Sequence, residues 1–302
     1  MQQKQQMDLL GASLLIAFSA VLGLNQALVK LVNVGIAPIM QAGLRSLLAF
    51  APVFLFALLY RRSLQWRPDT LALGMANGSF FAAEFYCLFL ALDVSSVARV
   101  SLFFYTMPIW VALAAHVLIP GERLTRAKTL GFLVAISGLA VALLPNDVDT
   151  GASTWRGDLL AILGAMCWAG IALMLRATRL QELTPETNLL YQLGFSGVLL
   201  TVLAFILGDT FREPTPLIWT YFGLQVVFVG CIGFLMWIWL LNIYPVAKVT
   251  SFSLLTPLFG IFFGWLVFDD QITPSFIAAL ALVIIGLLLV NRPATTKTQE
   301  LD

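Results

Sequence analysis

A chain of 302 residues that is 60% hydrophobic and only 11% charged is not an ordinary soluble domain, in which charged residues make up about 25%. Its net charge of +1 supplies no basic field for nucleic acid, and no hydrophilic stretch is long enough to fold into a domain that would bind one. Apolar runs of about 20 residues, enough to cross ~30 Å of hydrocarbon, recur from end to end, so the expected fold is an all-α polytopic membrane protein.

The runs read as ten transmembrane helices, at 8–31, 37–60, 69–91, 95–119, 126–144, 157–178, 187–208, 216–240, 245–268 and 273–291. The first follows a polar start with Lys4, as a signal peptide would. It is too long for a signal's apolar core, and a similar segment recurs inside the chain, so it reads as a retained span. Connections are short. The longest, PNDVDTGASTW at 145–155, divides the spans five and five.

Lys and Arg are unevenly shared between the two sides. With both termini in the cytoplasm, Lys4, Arg61, Arg62, Arg67, Arg123, Arg126, Lys128, Arg176, Arg179, Arg292 and Lys297 lie inside, against Lys30, Arg156 and Arg212 outside. The positive-inside rule selects that orientation. Trp66, Trp155 and Trp219 flank spans as interfacial anchors do.

The two halves echo one another. An offset of 149 pairs Pro108 with Pro257, Val97 with Val246, Ala98 with Ala247, Arg99 with Lys248 and Val100 with Val249. An offset of 150 pairs Asp8-Leu9-Leu10 with Asp158-Leu159-Leu160. Each half holds an odd number of spans, so the second enters the membrane from the opposite side. The expected domains are two inverted five-helix repeats, 8–144 and 157–291. Inverted repeats characterise transporters, because two interchangeable halves can open a midplane site to either side in turn.

At these residues the chain resembles the EamA-type branch of the drug/metabolite transporter superfamily. Asn25, Pro38 and Arg45 (IAPIMQAGLRSLLAF) carry the likeness, with TMPIWVALAAHVLIPGERLTRAKTLGFLVAISG at 106–138 adding most. The second half departs from the pattern: DDQIT replaces a Gly-Glu pair, and Gln192 stands near where Arg45 would repeat. The resemblance implies ten helices, a central cavity between the halves and secondary transport of small metabolites. The expected location is the plasma (inner) membrane of a bacterium, with lipid and a small-molecule substrate as partners and a proton or counter-substrate as coupling partner.

Several ionisable and polar residues sit within the spans, where they are costly and mark function. Arg45 lies eight residues into its span from the outer end, and Asn25 and Gln26 approach that level from the first span. Asn77, Phe81 and Glu84 share one helix face, a candidate cavity wall. Glu84 has two open readings. One is a structural ion pair with Arg45 or Arg99; the other is proton coupling or binding of a substrate amine. Arg45 suits a substrate carboxylate, since its planar fork matches that geometry, or a protein partner. Arg99 and Lys248 lie near opposite faces, as gates or as snorkelling side chains. Pro108 and Pro257 each fall near a helix middle, to bend it or to act as a hinge. Trp168 and Gln192 could meet a substrate from the sixth and seventh spans. Gly74-x-x-x-Gly78 and Gly260-x-x-x-Gly264 read as close helix contacts.

Cys87, Cys167 and Cys231 lie in apolar runs and read as small packing residues; His116 has no neighbour at metal-ligand spacing and reads as packed. No metal or cofactor is expected. Neither a nucleophile–base set nor HExxH occurs, which argues against an intramembrane enzyme, and GxxxxGK[ST] is missing, so ATP drive is not expected. The reading is a secondary transporter, foremost an exporter of amino acids or related compounds. Import of a metabolite or vitamin on the same fold is the alternative, ahead of a membrane scaffold.

Overall fold

The computed structural model describes residues 8–119, 124–143, 154–233, 236, 240, 243–244 and 255–290. The helices are α1 (Leu9–Asn33), α2 (Pro38–Leu59), α3 (Pro68–Val94), α4 (Val97–Phe104), α5 (Met107–Leu118), α6 (Arg126–Ala142), α7 (Thr154–Ala177), α8 (Pro185–Leu207), α9 (Pro216–Leu224), α10 (Thr256–Phe268) and α11 (Pro274–Val290). A 3-10 turn, Arg179–Glu182, joins α7 to α8, and α9 runs on into a π-helical stretch, Gln225–Gly233. Among the described residues there is no strand, only an isolated bridge between Ile36 and Phe211. Six helical stretches are long and apolar enough to cross a membrane, α4 and α5 together counting as one, Val97–Leu118.

Helix starts follow from local chemistry. Asp8 caps α1 by accepting a hydrogen bond from Gly11 N at 2.8 Å. Threonine followed by proline opens α8, α9 and α11: Thr184, Thr215 and Thr273 accept from the N–H groups of Thr187, Ile218 and Phe276. Threonine satisfies an orphan donor there, and proline occupies a position where its missing N–H costs nothing.

The most extensive span contacts follow a rule. The second span, α2, packs on α8, and α6 on α11; α3 packs on α7 and α8, while the stretch 216–233 packs on α1 and α2; α1 packs on α10, and α7 on α4 and α5. Moving every span five places along the chain turns each of these contacts into itself or into another of the set; the contact of α2 with α3 has no comparable counterpart among the described residues. Glycines permit the closest crossings. A Cβ on Gly131 would stand 2.7 Å from the Gly286 carbonyl oxygen, and one on Gly74 would stand 2.6 Å from the Tyr191 ring. Gly260 approaches Ser101 as closely, so both glycine pairs singled out in the sequence are sites of close helix approach.

The fourth span corrects the expectation for Pro108. A single bent helix over 95–119 does not form. The chain breaks at Tyr105–Thr106, and Pro108 stands in the first turn of α5. Proline cannot donate to the carbonyl one turn back, so that carbonyl would be orphaned in a continuous helix. At the break the Thr106 hydroxyl donates to Phe103 O at 2.6 Å and accepts from Trp110 Nε1 at 3.1 Å. Pro257 is the second residue of α10, Thr256–Phe268, and the residues ahead of Leu255, 245–254, lie outside the described residues. Lys248, its pairing with Arg99 and the linker 145–153 lie outside the described residues.

Polar contacts tie both ends of the bundle. At one end Ala37 N donates to Thr210 O and Arg212 N to Gly35 O. The Arg212 guanidinium grips both Asp93 oxygens, at 2.9 and 3.1 Å, and this bonding pushes its pKa up from the ordinary value. Lys30 donates to Ser95 O, and Asp270 accepts from Ala98 N at 2.9 Å, capping α4 from across the bundle. At the other end Arg67 bonds Glu182 and Asp69, Arg179 joins Asp69, and Thr184 donates to Ser63 O. These pairs are exposed and are worth little individually. His116 is at this end, exposed rather than packed, and accepts from Leu124 N.

Candidate functional site

Glu84 and Arg45 project from long helices into the buried interior. Glu84 lies near the middle of α3, because that helix runs on to Val94, past the end expected from the sequence. It is 4% exposed, and its Oε2 has no hydrogen-bond partner. Arg45, on α2, is 6% exposed. Its guanidinium lies over the Phe85 ring at 4.1 Å and the Phe89 ring at 4.7 Å. The two residues are electrostatic partners, yet among the described residues neither makes a direct ion pair.

That geometry corrects one reading of Glu84. Arg99 is already taken: its Nε and Nη2 grip the two Asp158 oxygens and its Nη1 donates to Ala142 O at 3.1 Å. Arg99 therefore does not snorkel, and a structural pair between Glu84 and Arg99 is not formed. Arg45 is stacked on rings rather than docked on the carboxylate. A buried carboxylate oxygen without a donor, beside a buried cation held by π faces, is an arrangement that costs stability.

The other candidate residues fall into two groups. Asn77 and Gln192 meet: Gln192 Nε2 donates to Asn77 Oδ1 at 2.7 Å, and Asn77 Nδ2 donates to Ile171 O at 3.3 Å. This amide bridge joins α3 to α8. A second joins α2 to the π-helical stretch, where Gln41 Nε2 donates to Gln225 Oε1 at 3.2 Å. Gln26 accepts from Ser101 on α4, which links α1 to the half-helix ahead of the break. Asn25 is buried, with Oδ1 unpartnered. Phe81 stacks edge-on against Phe85 at 4.4 Å, beginning a ladder of rings that passes Phe85 and Phe89 under Arg45. Trp168 alone of the eight candidate binding residues is exposed, and among the described residues its ring meets no other ring.

Sequence reasoning missed Asp158, Tyr105 and Gln225 as members of this interior. Asp158 carried a signal, its echo of Asp8. Tyr105 lies at the break, within electrostatic reach of Glu84. Gln225 sits where α-helical bonding gives way to π-helical bonding, a feature that recurs at functional sites. Among the described residues no cluster of three or more His, Cys, Asp or Glu side chains could hold a metal ion.

Comparison with known proteins identifies the family to which this arrangement belongs. The sequence model of the EamA-like transporter family matches the chain twice, over residues 9–144 and 155–292. The chain belongs to the EamA-like transporter family. The uncharacterized transporter YoaV of Bacillus subtilis is 25% identical over 84% of this chain and 87% of its own length. The uncharacterized protein PA1977 of Pseudomonas aeruginosa is 29% identical over 76% of this chain and 77% of its own. A protein of Salmonella typhimurium named as a probable amino-acid metabolite efflux pump is 25% identical over 88% of this chain and 90% of its own. One solved crystal structure superposes with a TM-score of 0.64 at 20% identity, over 92% of this chain and 96% of the other, and shares its fold. As an EamA-like protein with six long apolar helical stretches, the chain is a multi-pass integral membrane transporter.

Proposed function

We propose that this EamA-like protein is a secondary transporter that exports amino acids or related compounds by alternating access. Two five-helix repeats, 8–144 and 157–291, would be related by a two-fold axis in the membrane plane, with both termini in the cytoplasm of a bacterium and the plasma membrane as its site. The observation that carries the reading is that the most extensive span contacts map onto themselves or one another when every span moves five places. Two such halves can trade conformations, so that one site faces each side in turn. Arg45 and Glu84, with Asn25 and Gln26 on the neighbouring α1, are the proposed cargo-binding core. The name of the Salmonella relative supports export and an amino-acid cargo.

Arg99, Pro108 and Pro257 belong to the moving parts in this reading. The half-helix α4 lies between a break and a set of ties from the other half of the chain, Asp158 and Asp270. Opening that end means releasing those ties, with the Tyr105–Pro108 break as hinge. A proton or a counter-substrate would supply the drive.

Solute flux in proteoliposomes tests the proposal. Protein reconstituted with both termini on one known side should exchange labelled amino acid across the bilayer, and an imposed proton gradient or counter-solute should drive net flux outward from the terminal side. Failure to move any amino acid or related metabolite would refute it, and net flux only toward the terminal side would assign import.

A further inference from the structure

Resting on that reading, we infer that the cargo is a net-neutral zwitterion with an apolar remainder, its carboxylate docking on Arg45 and its ammonium on Glu84. Three observations converge. Glu84 Oε2 is a buried acceptor with no donor. The neighbouring cation, Arg45, does not close the gap, because two aromatic faces, Phe85 and Phe89, hold its guanidinium plane. The other buried arginine that could have neutralised Glu84 is committed to Asp158 and to Ala142 O. The two side chains thus form no ion pair with one another and are left for something else to complete.

The chemistry of that missing group follows from the inventory of donors and acceptors. In its ionised form Glu84 accepts only, so its partner must donate, as an ammonium does through three N–H bonds. Arg45 donates only, so its partner must accept, and a carboxylate matches the guanidinium fork in a bidentate geometry. A molecule carrying both groups satisfies both residues at once and brings no net charge into the membrane interior. A cargo with one charge would leave the other residue buried and unpaired. A site with unpaired buried polar groups rejects such analogues strongly. The remainder of the cargo would lie along the Phe81–Phe85 side of the ladder, where the rings offer apolar surface.

The test uses purified full-length protein in detergent and the same protein in proteoliposomes. In detergent, thermal stabilisation is read for each proteinogenic amino acid. Neutral amino acids with apolar side chains, L-leucine among them, should stabilise; lysine, arginine, aspartate and glutamate should not. In proteoliposomes, counterflow of labelled L-leucine is competed with leucine, with isoamylamine (leucine lacking the carboxylate) and with 4-methylpentanoate (leucine lacking the ammonium). Leucine should compete at least ~100-fold better than either analogue. Arg45→Gln should erase the preference over isoamylamine, and Glu84→Gln the preference over 4-methylpentanoate. Should either variant fail to fold, the wild-type competition decides. Analogues that compete as well as leucine, stabilisation by singly charged cargo alone, or variants that keep both preferences would overturn the inference. Flux of some other metabolite without any zwitterion binding would overturn it while leaving the transporter reading intact; no flux of any solute would remove the transporter reading itself.

Discussion

Arg45 and Arg99 are both arginines buried in apolar helices, and their surroundings differ completely. Arg99 meets both oxygens of Asp158 and a backbone carbonyl, so each arm of its fork is used. Arg45 meets the faces of two phenylalanines and, among the described residues, makes no ion pair. Desolvating a guanidinium costs several kcal/mol in either place. Around Arg99 the protein returns that cost through a partner on α7, and so ties α4 to the other half of the chain. Around Arg45 and Glu84 the cost stands, and the proposed reading takes it as the mark of a place kept for a ligand. On the proposed reading, the contrast separates a charge that serves the fold from one that serves transport.

The comparison breaks most visibly through stability. Asp158→Asn leaves Arg99 buried without its carboxylate and should cost about 3–5 kcal/mol, with partial recovery in the double variant Arg99→Gln/Asp158→Asn. Glu84→Gln removes a carboxylate whose Oε2 has no partner, so it should cost less than about 1 kcal/mol or raise stability. Thermal or denaturant melting in detergent measures both. Equal losses would mean that Glu84 is held by the protein after all.

Kinetics sharpen the contrast at the break in the fourth span. Pro108→Ala restores a donor in the first turn of α5 and should slow turnover several-fold while cargo affinity stays within about twofold, as expected where a hinge limits exchange between states. Counterflow at varied substrate concentration separates the two terms. Unchanged turnover would make the break a static feature.

The smallest effect is expected at the amide bridges. Asn77→Leu leaves Gln192 Nε2 without its acceptor and should cost about 1–2 kcal/mol, less than the Asp158 change because no charge is stranded. A loss as large as that of Asp158→Asn would place the α3–α8 bridge among the principal ties of the fold.

What could be read from the sequence divides along the same line. The spans and their helical class follow from apolar runs long enough for a bilayer, and Gly74, Gly78 and Gly260 announce close approach because a missing side chain has a local meaning. Glu84 and Arg45 stand out because ionisable residues are rare in such runs. What could not be read is who meets whom. Arg99 and Asp158 lie far apart in sequence, and nothing local distinguishes a paired arginine from an unpaired one. Pro108 signalled a disturbed helix. Whether the helix would bend or stop was not written in the proline itself; the break at Tyr105–Thr106 is visible only in the fold, where the Thr106 hydroxyl bonds Phe103 O and Trp110 Nε1. The π-helical turn at Gln225 has no sequence signature comparable to a proline.

The most direct measurement is amino-acid counterflow by Arg45→Gln in proteoliposomes, with its melting temperature recorded beside the wild type. The account predicts flux reduced at least ~10-fold at unchanged or higher melting temperature, because the guanidinium serves the cargo and is not needed by the fold. Full flux, or a flux loss that only tracks a loss of folded protein, would contradict it.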